Sequence, residues 1–194
     1  VSAFDDMIAR SVPFYNESQD TAVRLAKEYY KKNTKVVDIG CSTGTTLIKL
    51  FKKLSINEKK KILMVGYDSS NPMINEAKRK TKNKIFSKKF KFINEKVQNL
   101  KIEKNVSVCF MNYTLQFIRP MDRQNVVSKI YKSLNKGGAF IFMEKILSKE
   151  SDINRVFIEV YHKYKNEMGY TDIEIKKKRE ALENVLIPYR DEEN

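Results

Sequence analysis

The chain has 194 residues, 41% of them apolar, enough for one substantial core and short for two, so a single domain is expected. Its formal net charge of +14 invites a nucleic-acid reading, because lysine and arginine neutralise phosphates. The lysines, however, lie in polar runs such as Lys59 to Lys61 and Lys176 to Lys178, without the interleaved aromatics of an RNA-binding signature; they read as solvated helix faces, and direct nucleic-acid binding is not expected.

In chain order, Glu17 to Tyr30 shows helical period with Val23, Ala26 and Tyr30 on one side, following Ser11-Val12-Pro13, so residues 1–34 read as an N-terminal helical extension. Short apolar runs at Lys35 to Ile39, Ile62 to Tyr67, Phe90 to Ile93, Val106 to Met111 and Ala139 to Glu144 read as strands. Between them, Thr45 to Leu54, Pro72 to Lys80 and Arg123 to Leu134 read as helices, and Gly137-Gly138 as a turn feeding the fifth strand. This alternation is the pattern of βαβ units, so the fold class is α/β, a largely parallel sheet with helices on both faces, spanning 35–145. Glu144-Lys145 reads as the end of the last strand.

Residues 146–194 read as a helical segment, Asp152 to Met168 and Asp172 to Val185, divided at Gly169-Tyr170 and followed by Pro188. A complete sheet of this class normally carries two further strands after the fifth, and the expectation is that this C-terminal pair is missing from the chain. No apolar run approaches the roughly 18 residues of a membrane span, so no membrane is expected among the partners and a cytoplasmic location is. Cys41 and Cys109 lie inside apolar segments, and the single His162 builds no zinc cluster with them; reduced buried thiols and no metal are expected.

The strongest local signal runs from Val36 through Asp38-Ile39-Gly40-Cys41-Ser42 to Gly44, a buried strand entering a small-residue turn and then a helix. A ligand is expected at the carboxyl end of such a strand. Gly40 and Gly44 would let the backbone approach an adenosine, and Asp38 places a carboxylate beside a positively charged amine or sulfonium. The spacing departs from the G-x-G-x-x-G of dinucleotide sites, so a methionine-containing nucleoside fits better. Asp68 ends the second strand, where a carboxylate accepts both hydroxyls of a ribose or caps the next helix; Ser69 follows it, and Asn112 stands on the same rim.

Across nearly its whole length the chain resembles the carboxy-S-adenosyl-L-methionine synthases, a branch of the Rossmann-like class I methyltransferase fold. The resemblance is carried by Phe4-Asp5-Asp6-Met7-Ile8-Ala9-Arg10-Ser11-Val12-Pro13, Asp38-Ile39-Gly40-Cys41-Ser42, Asn112-Tyr113-Thr114-Leu115-Gln116-Phe117, and Gly169-Tyr170 through Lys178-Arg179 to Leu182-Glu183-Asn184-Val185. It implies a transferase that takes S-adenosylmethionine and prephenate to carboxy-S-adenosylmethionine, phenylpyruvate and water. The product feeds a partner enzyme, a tRNA carboxymethyltransferase acting on wobble uridine.

By the same resemblance Tyr15, Gly40, Cys41 and Ser42 contact the nucleotide, Asp68 with Ser69 holds ribose, Asn112 faces the ligand, and Arg179 binds the transferred carboxylate from the neighbouring subunit of a homodimer. Arg179, Tyr15 and Arg10 are the expected catalytic residues, Arg10 as a guide for an anionic substrate. Phe14 stands where the family usually has glycine. Where the family usually offers an acid to the adenine, the chain has Glu95-Lys96-Val97, so the backbone of Lys96 and Val97 is expected to serve. Two other readings share the fold: a conventional methyltransferase of unknown acceptor, and a catalytically silent nucleotide- or RNA-binding scaffold.

Overall fold

A computed structural model describes residues 3–82 and 85–193. Two helices, α1 (Phe4–Ser11) and α2 (Tyr15–Tyr29), precede β1 (Lys35–Ile39). There follow α3 (Thr45–Lys53), α4 (Ile56–Lys61), β2 (Leu63–Asp68), α5 (Asn71–Thr81), β3 (Phe90–Asn94), β4 (Val106–Asn112), α6 (Pro120–Ser133) and β5 (Leu134–Met143). The chain then makes β6 (Ile146–Leu147), α7 (Ser151–Glu167), α8 (Asp172–Leu182) and β7 (Tyr189–Arg190). The five main strands form a parallel sheet in the order β3-β2-β1-β4-β5, and β6 pairs with β7 separately.

Side chains alternate across each strand, which is why one run of apolar residues serves two cores. Val36, Met64, Val108 and Phe110 face one layer with Val23 and Ala26 of α2, Leu47 and Leu50 of α3, and Ile74 of α5. Val37, Ile39, Val65, Cys109 and Met111 face the other, against Val126 and Ile130 of α6. Each such side chain contributes about 1.5–3 kcal/mol on full burial, and most of those named are fully buried. Both cysteines are buried and free. Among the described residues no helix is long and apolar enough to cross a membrane.

The sheet order reverses between β1 and β4, because the chain builds β2 and β3 on one side of β1 and returns to place β4 and β5 on the other. At such a switch point the loops leaving the two strands diverge and open a crevice at their carboxyl ends. That crevice lies between the turn after Ile39 and the turn after Asn112.

The main differences from the sequence reading have local causes. Gly137-Gly138 is not a turn before the fifth strand but an irregularity inside it: Leu134 already pairs with Val106, and the register shifts before Ala139 meets Val108. The short helix α4 escaped the apolar pattern, although its capping box, Ser55 with Glu58, was visible as S-x-x-E. Helix α1 has no side-chain cap of its own. Tertiary contacts hold it: Tyr161 Oη donates to the Ser11 carbonyl at 2.6 Å and Tyr170 Oη to the Met7 carbonyl at 3.0 Å.

Phe14, between α1 and α2, has φ 54° and ψ 27°, the left-handed conformation that costs a residue with a Cβ roughly 1–2 kcal/mol. This explains the family's glycine there. The ring is 78% exposed, so it gains little packing in return. Phe14→Gly is expected to raise the unfolding free energy by up to about 1 kcal/mol, the strain relieved less the extra chain entropy of glycine; urea denaturation of the two proteins at matched pH measures it.

Candidate functional site

The turn after β1 is held by backbone and by one carboxylate. The amides of Gly40 and Cys41 donate to the Tyr67 carbonyl at 2.8 and 3.0 Å. Asp68 then bridges two loops, its Oδ2 accepting from the Ser42 amide and its Oδ1 from the Ser70 amide, both at 2.8 Å. The Asp68 carbonyl takes the Glu95 amide at 3.0 Å and Asn94 Nδ2 at 2.9 Å. Three loops therefore meet on one residue, and each carboxylate oxygen keeps a lone pair for a further donor.

Gly40 and Gly44 both lie in the left-handed region, at φ +72° and +76°. A Cβ on Gly40 would overlap the Thr114 side chain, and one on Gly44 would stand 2.9 Å from the Phe92 ring. The fold itself thus requires both glycines, where the sequence reading assigned the space to an adenosine. Cys41 likewise turns its thiol into the core, close to Gly66, which leaves its backbone to line the site.

Asp38 is 2% exposed. Its Oδ2 and the Oδ1 of Asn112 have no hydrogen-bond partner among the described residues. Burial, and then the neighbouring charge of Asp68, pushes the Asp38 carboxyl well above its ordinary value. Asn112 Nδ2 leans on Thr46 Oγ1 at 3.4 Å, which donates to the buried Gln19 at 2.8 Å. Two orphaned acceptors at the ends of adjacent strands each cost about 1–3 kcal/mol, and a ligand bearing N–H donors or positive charge relieves both. The methionine moiety of S-adenosylmethionine meets that description, so the residues present fit the nucleotide.

Tyr15 closes the site from the first turn of α2. Burial, then the charges of Asp5 and Asp38, push its phenol far up, so it is an O–H donor and not a base. Its ring centroid is 6.1 Å from that of Tyr113, whose hydroxyl lies 3.1 Å from Ser18 Oγ. Phe14, Ser42 and Tyr113 all carry positive φ around this one crevice; strained backbone of this kind gathers at ligand sites. Helix α1 forms the roof: Thr43 Oγ1 donates to Asp5 Oδ1 at 2.6 Å, and Lys80 both pairs with Asp5 and donates to Thr43 Oγ1. Burial raises the Asp5 carboxyl, but Lys80, Thr43 and Thr45 outweigh it and leave the group below its usual value.

Glu144 was read as a strand end, yet it is the clamp of the turn after β4. Its Oε1 accepts from the amides of Thr114 at 3.1 Å and Leu115 at 2.8 Å, and its Oε2 from Gln116 at 3.0 Å. Burial raises its carboxyl against the opposing pull of these bonds. An acid one step past an apolar run was the available signal. Its role depends on a turn some thirty residues earlier in the chain, out of reach of local pattern.

The remaining expected residues lie farther out. Ser69 is exposed just beyond Asp68, and Val97 is half-buried at the start of a short 3-10 turn. The Lys96 amide is already donated to Glu95 Oε1 at 3.0 Å, leaving that of Val97 for a ligand. Arg10 pairs with Asp6, donates to the Met168 carbonyl at 3.3 Å and faces the Tyr170 ring, tying α1 to the end of α7. Arg179 is exposed in the last turn of α8, where it depresses His162 together with burial and Lys165. The structure therefore gathers Tyr15, Asp38, Gly40, Ser42, Asp68 and Asn112 within one chain, and among the described residues no hydrogen bond or ion pair joins Arg179 to them. An open cleft of about 320 Å³ near Ile146, Leu147 and Phe157 has no orphaned buried acceptor in its wall and is not the candidate site.

The fold and this crevice define a methyltransferase-type nucleotide-binding domain, and the family described as a methyltransferase domain matches residues 30–184. A solved S-adenosylmethionine-dependent methyltransferase from Clostridium acetobutylicum shares the fold, with a TM-score of 0.56 and 21% identity over 73% of this chain and 54% of that one. The carboxy-S-adenosyl-L-methionine synthase of Desulfotalea psychrophila is 43% identical over all of this chain and 78% of its own length. That of Campylobacter curvus is 44% identical over all of this chain and 80% of its own. The chain belongs to the carboxy-S-adenosyl-L-methionine synthase family.

Asp38 generates a prediction with a definite sign. Its folded-state pKa is raised, so the ligand-free protein loses stability as pH rises from the ordinary carboxyl range through that raised value. A cationic ligand favours the carboxylate, so affinity for S-adenosylhomocysteine should strengthen over the same window. In Asp38→Asn both dependences should flatten and affinity should fall about 10–100-fold, as for loss of a charge-assisted hydrogen bond; titration calorimetry over a pH series, with thermal melts, reads both.

Proposed function

We propose that the chain makes carboxy-S-adenosyl-L-methionine from S-adenosylmethionine and prephenate, releasing phenylpyruvate and water. Family membership supports the reaction, and the unpaired acceptors on Asp38 and Asn112 are the observation that carries nucleotide binding in this chain. When bound, S-adenosylmethionine supplies a methyl group whose hydrogens the adjacent sulfonium acidifies. Asp38 and Asn112 would hold its positively charged methionine end, the remaining lone pairs of Asp68 its ribose with Ser69 alongside, and the Val97 amide its adenine. Ser42 and the backbone of Gly40 and Cys41 would line the turn beneath. Tyr15 keeps its proton, so it orients as a donor and shields the reacting carbon from water.

Arg179 would recognise the new carboxylate through its planar two-donor edge. It is exposed in the last turn of α8 and makes no hydrogen bond or ion pair among the described residues, which favours delivery to a neighbouring subunit. The same helical segment exposes Val156, Phe157 and Val160 on α7, 56%, 62% and 57% accessible, an apolar surface suited to self-association as a homodimer. The product would pass to a tRNA carboxymethyltransferase in the cytoplasm, with no direct RNA contact by this chain.

Two measurements test the reading. Mass spectrometry of the small molecule released on denaturing the purified protein should find S-adenosylmethionine plus one carboxyl group. Arg179→Ala should weaken the carboxylated nucleotide about 10–100-fold while changing S-adenosylmethionine affinity by no more than about twofold. Equal weakening of the two would turn the assignment towards a conventional methyltransferase, because a methyl group needs no cationic partner.

A further inference from the structure

Three lysines converge where α1, α7 and α8 meet the carboxyl end of β5. Lys165 of α7 is only 7% exposed, and its ammonium lies 3.9 Å from the centroid of the Tyr161 ring. Lys178 of α8 reaches Ser11 Oγ at 2.9 Å and Met7 Sδ at 3.1 Å. Tyr161 also binds Ser11, through its carbonyl. Lys145 lies just past the end of β5, its amide donated to Gln116 Oε1 at 3.1 Å. Burial first, then the charges of Lys178 and Lys145, lower Lys165 to about 8; burial lowers Lys178 and Lys145 as well.

Among the described residues, no carboxylate stands within ion-pair distance of these three ammoniums. The acids nearby in the fold have other partners: Asp172 takes Asn166 Nδ2, Glu174 caps α8 with Thr171, Asp6 pairs with Arg10, and Glu144 clamps the turn after β4. Arg179 adds further positive charge, and burial followed by the charges of Lys165 and Arg179 lowers His162, so the imidazole supplies no counter-charge. A face of Tyr161 offsets only part of the cost of burying an unpaired ammonium. An apolar side chain of similar length would pack at Lys165 without that cost, so packing alone does not account for a cation there.

We propose that Lys145, Lys165 and Lys178 form a binding site for a small dicarboxylate beside the nucleotide crevice. Its position follows from its neighbours: Ser11 leads through Val12 and Pro13 towards Tyr15, and Lys145 follows the Glu144 clamp directly. Several cations with no internal counter-charge match a doubly charged anion. The inference rests on the proposed reaction for the identity of that anion, the carboxyl-donating substrate prephenate; the site itself does not depend on it.

The test compares the wild-type chain with Lys165→Met and the charge-preserving Lys165→Arg. In buffer without dicarboxylate, Lys165→Met should melt higher than wild type by about 2–4 °C, because an uncompensated charge is removed. Malonate should stabilise wild type and Lys165→Arg but not Lys165→Met. In the prephenate reaction, Lys165→Met should raise KM for prephenate about tenfold or more, with affinity for S-adenosylhomocysteine unchanged. Malonate stabilising Lys165→Met as strongly as wild type, or an unaltered KM, overturns the site while leaving the reaction in place. Malonate selectivity for Lys165 without any consumption of prephenate overturns the reaction and leaves the site.

Discussion

Asp38 is held near the end of β1 with a fully buried carboxylate oxygen unpaired, and the surrounding structure is arranged around that cost. A carboxyl buried this deeply is stable in its neutral form, and the proximity of Asp68 strengthens the preference. Replacing the missing partner with a ligand cation converts an internal penalty into binding energy. The site is therefore destabilising by itself and favourable when filled, the usual relation between a preorganised ligand site and the fold that carries it.

Holding such a site open requires support from residues that need not touch the ligand. Asp68 joins three loops, Glu144 fixes the turn behind Asn112, and the Asp5–Lys80–Thr43 cluster draws α1 down onto the loop after β1. Each support is a carboxylate accepting backbone amides, hydroxyls or an ammonium, bonds stronger than their neutral counterparts. Glycines 40 and 44 answer to the same constraint, since the crevice can be narrow only if Thr114 and Phe92 approach the backbone directly.

Helix α1 and the C-terminal helices are tied to one another by hydrogen bonds across the fold. Helix α1 lacks a side-chain cap, and its carbonyls find partners on Tyr161 and Tyr170 across the fold. Arg10, expected to steer substrate, is a strut between these segments, and Lys178, read as one more charge on a helix face, is bonded to Ser11. Positive charge that composition spread evenly along the chain is in part concentrated at this junction.

The βαβ alternation, the five strands and the glycine turn after Asp38 were all readable from the residues, because hydrophobic period and turn chemistry are local properties. So was the placing of Asp38, Ser42, Asp68 and Asn112 along one edge, which follows once parallel strands end together, whereas Tyr15 on α2 was expected there only from the family resemblance. Only the tertiary structure decided which of these groups lack partners, since satisfaction of a buried acceptor depends on whatever packs against it from distant elements. It alone distinguished Glu144 from a strand end and Gly137-Gly138 from a turn. Sequence determines the period of burial; the crossing of elements far apart in the chain determines where a charge is left unpaired.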